Sequence, residues 1–155
     1  MALIDSQVLE REIRIAARPE AVFPYFIDPI KMIRWKGLQA TLDPRPGGAF
    51  RVEINGRDVA RGEYLEVAPH SRIVFTWGWE GESSPLPPGA STVEVTLTPD
   101  GHETIVRLRH HGLPNEQMYL RHAQGWDHYL ARLNAAAEGR DPGPDPMVIS
   151  DQPHR

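Results

Sequence analysis

The chain has 155 residues, a length that fits one domain with a substantial core. Hydrophobic residues make up 40% and charged residues 25%, which is typical of a soluble globular protein and excludes a disordered one. Because cysteine is absent, disulfides, thiolate zinc sites and a cysteine nucleophile are excluded. A net charge of -4 argues against nucleic acid or an anionic membrane as the main partner.

The sequence also bears on where the protein works. No apolar run approaches the ~20 residues that a membrane span requires. The first residues lack the basic and apolar regions of a signal peptide. We therefore expect a cytoplasmic protein that does not enter the membrane.

The N-terminal part of the chain predicts one strand followed by two short helices. From Val8 to Ala16 apolar and charged residues alternate, which is typical of a strand with one solvated side. Pro19 suits the first turn of a helix, and this helix should end near Asp28-Pro29. A second short helix should then carry Ile30, Ile33 and Trp35 and end at Gly37.

Period-two alternation dominates the middle of the chain and predicts antiparallel strands joined by turns. Asn55-Gly56 and Asp100-Gly101 are strong turn signals. The loop over residues 81–89 is rich in proline and glycine, and its length indicates that it is mobile or functional. Strands are expected over residues 38–43, 50–54, 59–67, 72–79, 93–97 and 106–110.

After Pro114 the apolar period becomes helical. Asn115 suits a helix N-cap, and Gly139 suits the helix end. One apolar stripe follows the helix at spacings of three and four, formed by Met118, His122, Trp126, Tyr129 and Leu133. The order of elements predicts an α+β, helix-grip arrangement: a curved antiparallel sheet of about six or seven strands packed on a long C-terminal helix.

A composition break after Gly139 separates a domain over residues 1–139 from a proline-rich tail over residues 140–155. Proline fixes φ and lacks an amide donor, so the repeated prolines of this tail prevent regular structure. Two interpretations remain open. The tail is simply mobile, or Met147-Val148-Ile149 docks on the body or on a second subunit, which would give a homodimer.

A series of short segments, which together span residues 8–139, resembles one superfamily. In chain order they are Pro19-Glu20-Ala21-Val22-Phe23, Asp28-Pro29, Arg34-Trp35, Arg45-Pro46-Gly47-Gly48, Gly62-Glu63-Tyr64-Leu65-Glu66-Val67, Arg72-Ile73-Val74-Phe75-Thr76-Trp77, Gly125-Trp126 and Tyr129-Leu130. The chain resembles the START and birch-pollen-allergen-like superfamily, called SRPBCC, which has the helix-grip fold. Within it the chain is similar to the branch named for the activator of the heat-shock-protein-90 ATPase.

The resemblance implies a cavity between the sheet and the long helix that holds apolar small molecules. It also implies alternatives, because some superfamily members are cyclases or aromatases and the fold does not determine the activity. The chaperone-activating members carry a separate N-terminal domain. Since the first strand begins near residue 8, we expect that domain to be absent, which argues against chaperone contact.

The candidate ligand-binding residues are those that strand parity, helix spacing or a break between elements brings to this cavity. They are Trp35, Phe75, Trp77, Trp79, His110, Met118, His122, Trp126 and Tyr129. Aromatic side chains also fill cores efficiently, so each has core packing as its alternative. Core packing is favoured for Phe75, which lies in the middle of its strand, and the two interpretations are balanced for Trp79.

The sequence predicts no catalytic or metal site and no cofactor. His110 faces the helix, where it either bonds to the core or acts as an acid–base group. His122 and His128 do not share a helix face, and neither H-x-x-x-H nor G-x-S-x-G occurs.

Three functions therefore stand as hypotheses. The leading one is a binding protein for a small apolar or aromatic molecule. The second is a cyclase- or hydrolase-like enzyme that uses His110 with Tyr64 or Tyr129. The third is a chaperone-regulating or other protein-binding module that uses the outer face of the sheet. An apolar closed pocket favours the first, and an exposed apolar patch favours the third.

Overall fold

Residues 8–147 are described by a computed structural model. The N-terminal part holds one strand, β1, two short helices, α1 and α2, and a 3-10 turn over Phe23–Phe26 between them. Six further strands and the long helix α3 follow. The bounds are β1 Leu9–Ile15, α1 Pro19–Val22, α2 Pro29–Met32, β2 Gln39–Leu42, β3 Ala49–Glu53, β4 Val59–Ala68, β5 Arg72–Trp77, β6 Ser91–Asp100, β7 Glu103–His111 and α3 Glu116–Ala137.

The seven strands form one antiparallel sheet in the order β1-β7-β6-β5-β4-β3-β2. Inward residues alternate with solvated ones along β6 and β7, and their registers pair Val93 with His110 and Val95 with Leu108. The inner face carries the apolar residues, so it must be covered, and α3 covers it. This confirms the predicted antiparallel helix-grip architecture.

Helix α3 begins where the sequence indicates. The side chain of Asn115 accepts a hydrogen bond from the Met118 N–H, which caps the helix. All five residues of the predicted apolar stripe are buried on the face that meets the sheet.

The second short helix is shorter than predicted. Pro29 starts α2 and Asp28 caps it through the Ile30 N–H, so the rotation of this single turn puts Met32 inward and leaves Ile30 71% exposed. The segment from Ile33 to Gly37 continues as turns.

Gly37 then has φ of +91°, and a Cβ there would lie 2.5 Å from Val52 Cγ1. This close approach requires glycine and holds the preceding residues, Trp35 and Lys36, inside the protein.

Strand β5 ends two residues earlier than predicted. At Gly78 the loop comes so close that a Cβ would clash with Pro87 O, and Trp79 keeps only an isolated bridge to Ala60. The loop is attached here, since the Trp79 N–H donates to Leu86 O and Leu86 is buried. The loop over residues 81–89 therefore closes the end of the sheet.

The described part of the tail, up to Met147, lies against α3. His128 and Tyr129 donate hydrogen bonds to Asp145, and Arg132 Nη1 donates to Pro142 O. Val148 and Ile149, which the docking interpretation invokes, lie outside the described residues. The division into a domain and a tail at residue 139 therefore stays a prediction. No helix within residues 8–147 is long and apolar enough to cross a membrane.

Candidate functional site

A cavity of about 500 Å³, open to solvent on one side, lies between α3, the ends of strands β3 to β5 and the loop that follows β5. Its aromatic wall consists of Trp77, Trp79, Trp126 and Tyr129. Met118 and Met147 add apolar surface, and Asp58, Glu80 and Arg121 bring charged groups. A volume of this size fits a drug-sized molecule.

Six of the nine candidate residues line this cavity: Trp77, Trp79, Met118, His122, Trp126 and Tyr129. The other three lie behind the wall. Phe75 stacks on Phe50 with ring centroids 4.1 Å apart, which is the core packing favoured for it. Trp35 is buried against Phe26 and donates its indole N–H to Tyr25 O at 3.0 Å.

His110 is fully buried and both of its ring nitrogens are hydrogen-bonded. The Trp126 indole N–H donates to Nδ1 at 3.0 Å, so Nδ1 carries no proton. The proton therefore sits on Nε2 and is donated to Ser91 Oγ at 2.8 Å, while Ser91 Oγ donates to Trp77 O. Burial, with the nearby positive groups, lowers the pKa of His110 well below its ordinary value. His110 is a neutral support of the wall.

His122 is held in the other neutral tautomer, with its proton on Nδ1. Its Nδ1–H donates to Met118 O at 2.9 Å, and its Nε2 accepts the indole N–H of Trp79 at 3.1 Å. Burial lowers the pKa of His122, and the bond to Met118 O opposes this only in part. His122 thereby holds Trp79, a half-buried residue at the mouth of the cavity, in place.

Sequence reasoning missed Lys36, whose ammonium group lies among the aromatic rings of the cavity. Nζ is 4.2 Å from the ring centroid of Trp126, 4.5 Å from that of Tyr129 and 4.8 Å from that of Trp77. Burial lowers the pKa of Lys36 to about 7, although the charge of Asp145 favours the protonated form. The faces of the rings favour that form too.

Asp145 was also missed, because the tail had no predicted role in the cavity. Only 7% of its side chain is exposed, and it accepts hydrogen bonds from Tyr129 Oη and His128 Nε2, both at 2.8 Å. Burial acts to raise the pKa of Asp145, but these bonds and one from the Met147 N–H outweigh it and hold the pKa below its ordinary value. Burial and this carboxylate raise the pKa of Tyr129.

Two further features concern what the cavity can bind. The indole N–H of Trp77 finds no acceptor within residues 8–147, although this side chain forms part of the wall. No group of three or more metal-ligating side chains occurs in the same residues. The site thus offers apolar walls and one amine, that of Lys36.

An antiparallel sheet that grips a long C-terminal helix is the helix-grip fold of the SRPBCC superfamily. The family described as "Activator of Hsp90 ATPase homolog 1-like protein" matches residues 16–138, and the chain belongs to this family.

Several known proteins are similar to this chain. The solution structure of an AHSA1-like protein from Rhizobium etli is 44% identical, with 96% of this chain and 92% of that one covered and a TM-score of 0.72. CalU16 from Micromonospora echinospora is 28% identical over 88% of this chain and 69% of its own, with a TM-score of 0.71. An uncharacterized protein from Schizosaccharomyces pombe is 28% identical over 108 residues, and the match spans 70% of this chain and 30% of that relative's length.

Proposed function

We propose that the protein binds a small apolar or aromatic molecule in the cavity between the sheet and α3. The observation that carries the proposal is the cavity of about 500 Å³ whose wall includes Trp77, Trp79, Trp126 and Tyr129. Rigid aromatic walls bury a flat apolar ligand with little loss of side-chain entropy.

The amine of Lys36 adds one polar group to the wall of the cavity. A ligand that combines an apolar body with one hydrogen-bond acceptor would satisfy this amine. This narrows the expected ligand to an apolar molecule with a single oxygen function.

The enzyme hypothesis that uses His110 with a tyrosine has less support. Both ring nitrogens of His110 are engaged, and Tyr129 Oη donates to Asp145. Tyr64 is buried and donates to Phe26 O, at a distance from the cavity wall. A residue that shuttles protons needs an unoccupied donor or acceptor atom that faces the substrate. None of these three side chains offers one, which favours binding over catalysis.

The protein-binding hypothesis requires an exposed apolar face. The outer face of the sheet instead carries ion pairs, such as Arg107 with Glu12 and Arg109 with Glu10. Ile30 and Leu38 are exposed on the short segment around α2, and Leu65 is exposed on β4. A single exposed leucine on the sheet does not make an apolar patch. The cavity is therefore the better-supported site.

The test is a fluorescence titration with the apolar dye N-phenyl-1-naphthylamine. We expect dye emission to rise and tryptophan emission to fall together. Trp79→Ala should weaken binding about tenfold or more, because it removes part of the wall, whereas Leu120→Ala on the exposed side of α3 should bind as the unaltered protein does. If the native protein binds no dye, or binds it equally well after Trp79→Ala, the proposal fails.

A further inference from the structure

Lys36 differs from the other basic residues of the protein. Of the seventeen lysines and arginines, only Lys31 and Lys36 are lysines. Lys31 is half-buried on α2, whereas Lys36 is 5% exposed and reaches the cavity wall. Burying an amine costs free energy unless a partner compensates for the loss of water.

The partners expected of a structural lysine are missing around Nζ. Within residues 8–147 it forms no hydrogen bond and no ion pair within 4.0 Å. Asp145, whose charge favours the protonated form of Lys36, is already bonded to Tyr129 and His128. The rings of Trp77, Trp126 and Tyr129 lie within 4.8 Å of the amine and line the same cavity.

An amine in this setting has a chemistry that arginine lacks. A guanidinium stays protonated in proteins, whereas burial can leave a lysine partly neutral at pH 7, and a neutral amine is a nucleophile. Burial lowers the pKa of Lys36 to about 7, so this condition is met near neutrality.

We propose that Lys36 forms an imine with the carbonyl carbon of an apolar aldehyde or ketone bound in the cavity. This inference rests on the proposed function and assigns the oxygen function of the ligand to a carbonyl group. The apolar walls bind the body of the ligand, and the amine stands at the wall over the ring of Trp77.

Formation of the imine from the amine and the carbonyl compound releases one water molecule and needs no further reactant. The lone pair of neutral Nζ attacks the carbonyl carbon, and the C=O π pair moves to oxygen. One amine proton passes to that oxygen and gives a carbinolamine. The second amine proton leaves with the hydroxyl as water through the open side of the cavity, and a C=N bond remains. Hydrolysis by the reverse path releases the ligand.

The groups that face Lys36 set the pH at which this reaction occurs. Helix α3 contributes His122 and Tyr129, β7 contributes His110, and the tail contributes Asp145. Both histidines are neutral in their hydrogen-bonded tautomers, and Asp145 supplies the negative charge.

The test uses 2-naphthaldehyde with cyanoborohydride, which reduces an imine to a stable secondary amine, and peptide mass spectrometry to locate the product. At pH 7 we expect Lys36 to be modified about tenfold or more faster than Lys31, because Lys36 lines the cavity that binds the aldehyde and Lys31 does not. The rate at Lys36 should rise through pH 7, because its pKa is about 7.

Lys36→Arg, which keeps the charge, and Lys36→Met, which keeps the length, should both abolish the fast modification, while Lys31→Arg should leave it unchanged. Comparison of the two lysines within the native protein needs no variant, so a variant that fails to fold does not prevent the test. Modification of Lys36 at or below the rate of Lys31 overturns the proposal.

Calorimetry with 2-naphthalenemethanol, which lacks the carbonyl, separates the two proposals. Binding of this alcohol without imine formation from the aldehyde refutes the imine and keeps the proposed function. Failure of both compounds to bind refutes both.

Discussion

The indole N–H of Trp126 donates to Nδ1 of His110 at 3.0 Å and fixes the histidine in its neutral Nε2–H form. Its neighbour Trp79 makes the matching bond to Nε2 of His122. Two tryptophans of the cavity wall are thus oriented by two neutral histidines. The wall depends on these bonds for its shape, and the first two predictions follow from that.

Removal of the imidazole in His110→Ala should lower the free energy of unfolding by about 3 kcal/mol or more. The indole N–H of Trp126 and the hydroxyl of Ser91 would both lose a buried partner, and a void would open beside them. Urea unfolding measures the change, with exposed His102→Gln as the control. A loss below about 1 kcal/mol would show that the bonds around His110 contribute little.

Acid should destabilise the protein before its carboxylates titrate. Burial lowers the pKa of both His110 and His122, so the unfolded chain takes up protons near pH 6.5 that the folded protein does not accept. The free energy of unfolding should therefore be fully present above pH 6.5 and fall as the pH drops toward the lowered values. Urea unfolding between pH 7.5 and about 5 measures this slope. His122→Gln should make the free energy of unfolding depend less steeply on pH. An unchanged slope would contradict the lowered pKa of His122.

Lys36→Met should stabilise the protein at pH 7 by about 1–3 kcal/mol, because a buried amine is replaced by an apolar side chain of similar length. Burial lowers the pKa of Lys36 from 10.5 to about 7, so between these values the unfolded chain holds the additional proton. The free energy of unfolding of the unaltered protein should therefore rise with pH above 7, and that of the variant should not. Lys31→Met is the control. Destabilisation by Lys36→Met would mean that its contacts with the rings outweigh the cost of burial.

Asp145→Ala should lower the free energy of unfolding by about 1–3 kcal/mol, since Tyr129 and His128 each lose an acceptor. The same change should weaken dye binding, because Tyr129 belongs to the cavity wall and would lose the bond that orients it. Asp141→Ala, in the exposed part of the tail, should change neither. Thermal unfolding and the dye titration check both results. If Asp145→Ala changes neither, the tail has no role in the site.

The periodicity of the sequence predicted the cavity residues that lie on strands and on α3. Strand parity put Trp77 on the inner face, and helix spacing put Trp126 and Tyr129 opposite it. Such arguments follow from repeating geometry, which is why the sheet and α3 were predicted well.

Lys36 and Asp145 were missed because they lie outside the regular helices and strands. Each lies in a segment without a repeat, so no pattern tells which way its side chain points. Lys36 is turned inward by the close approach at Gly37, and Asp145 is held by partners on α3. The sequence could at most have drawn attention to a lysine between a tryptophan and a glycine in a chain that has fifteen arginines and only two lysines.

The partners of His110 show a further limit. Strand parity indicates that this residue faces inward, but its protonation depends on which atoms meet it across the core. The bonds to Trp126 and Ser91 join residues that are far apart in the chain, and only the folded structure brings them together. A tautomer is a property of that tertiary arrangement.

The central claim is that an apolar ligand binds against one side of the aromatic cluster. The indole N–H signals of the four tryptophans in a ¹H–¹⁵N correlation spectrum, recorded during titration with 2-naphthalenemethanol, test it most directly. The account predicts that the signals of Trp77, Trp79 and Trp126 move together with added ligand, while that of Trp35, bonded to Tyr25 O behind the wall, stays in place. Unchanged signals from the three wall tryptophans, or a shift confined to Trp35, would contradict it.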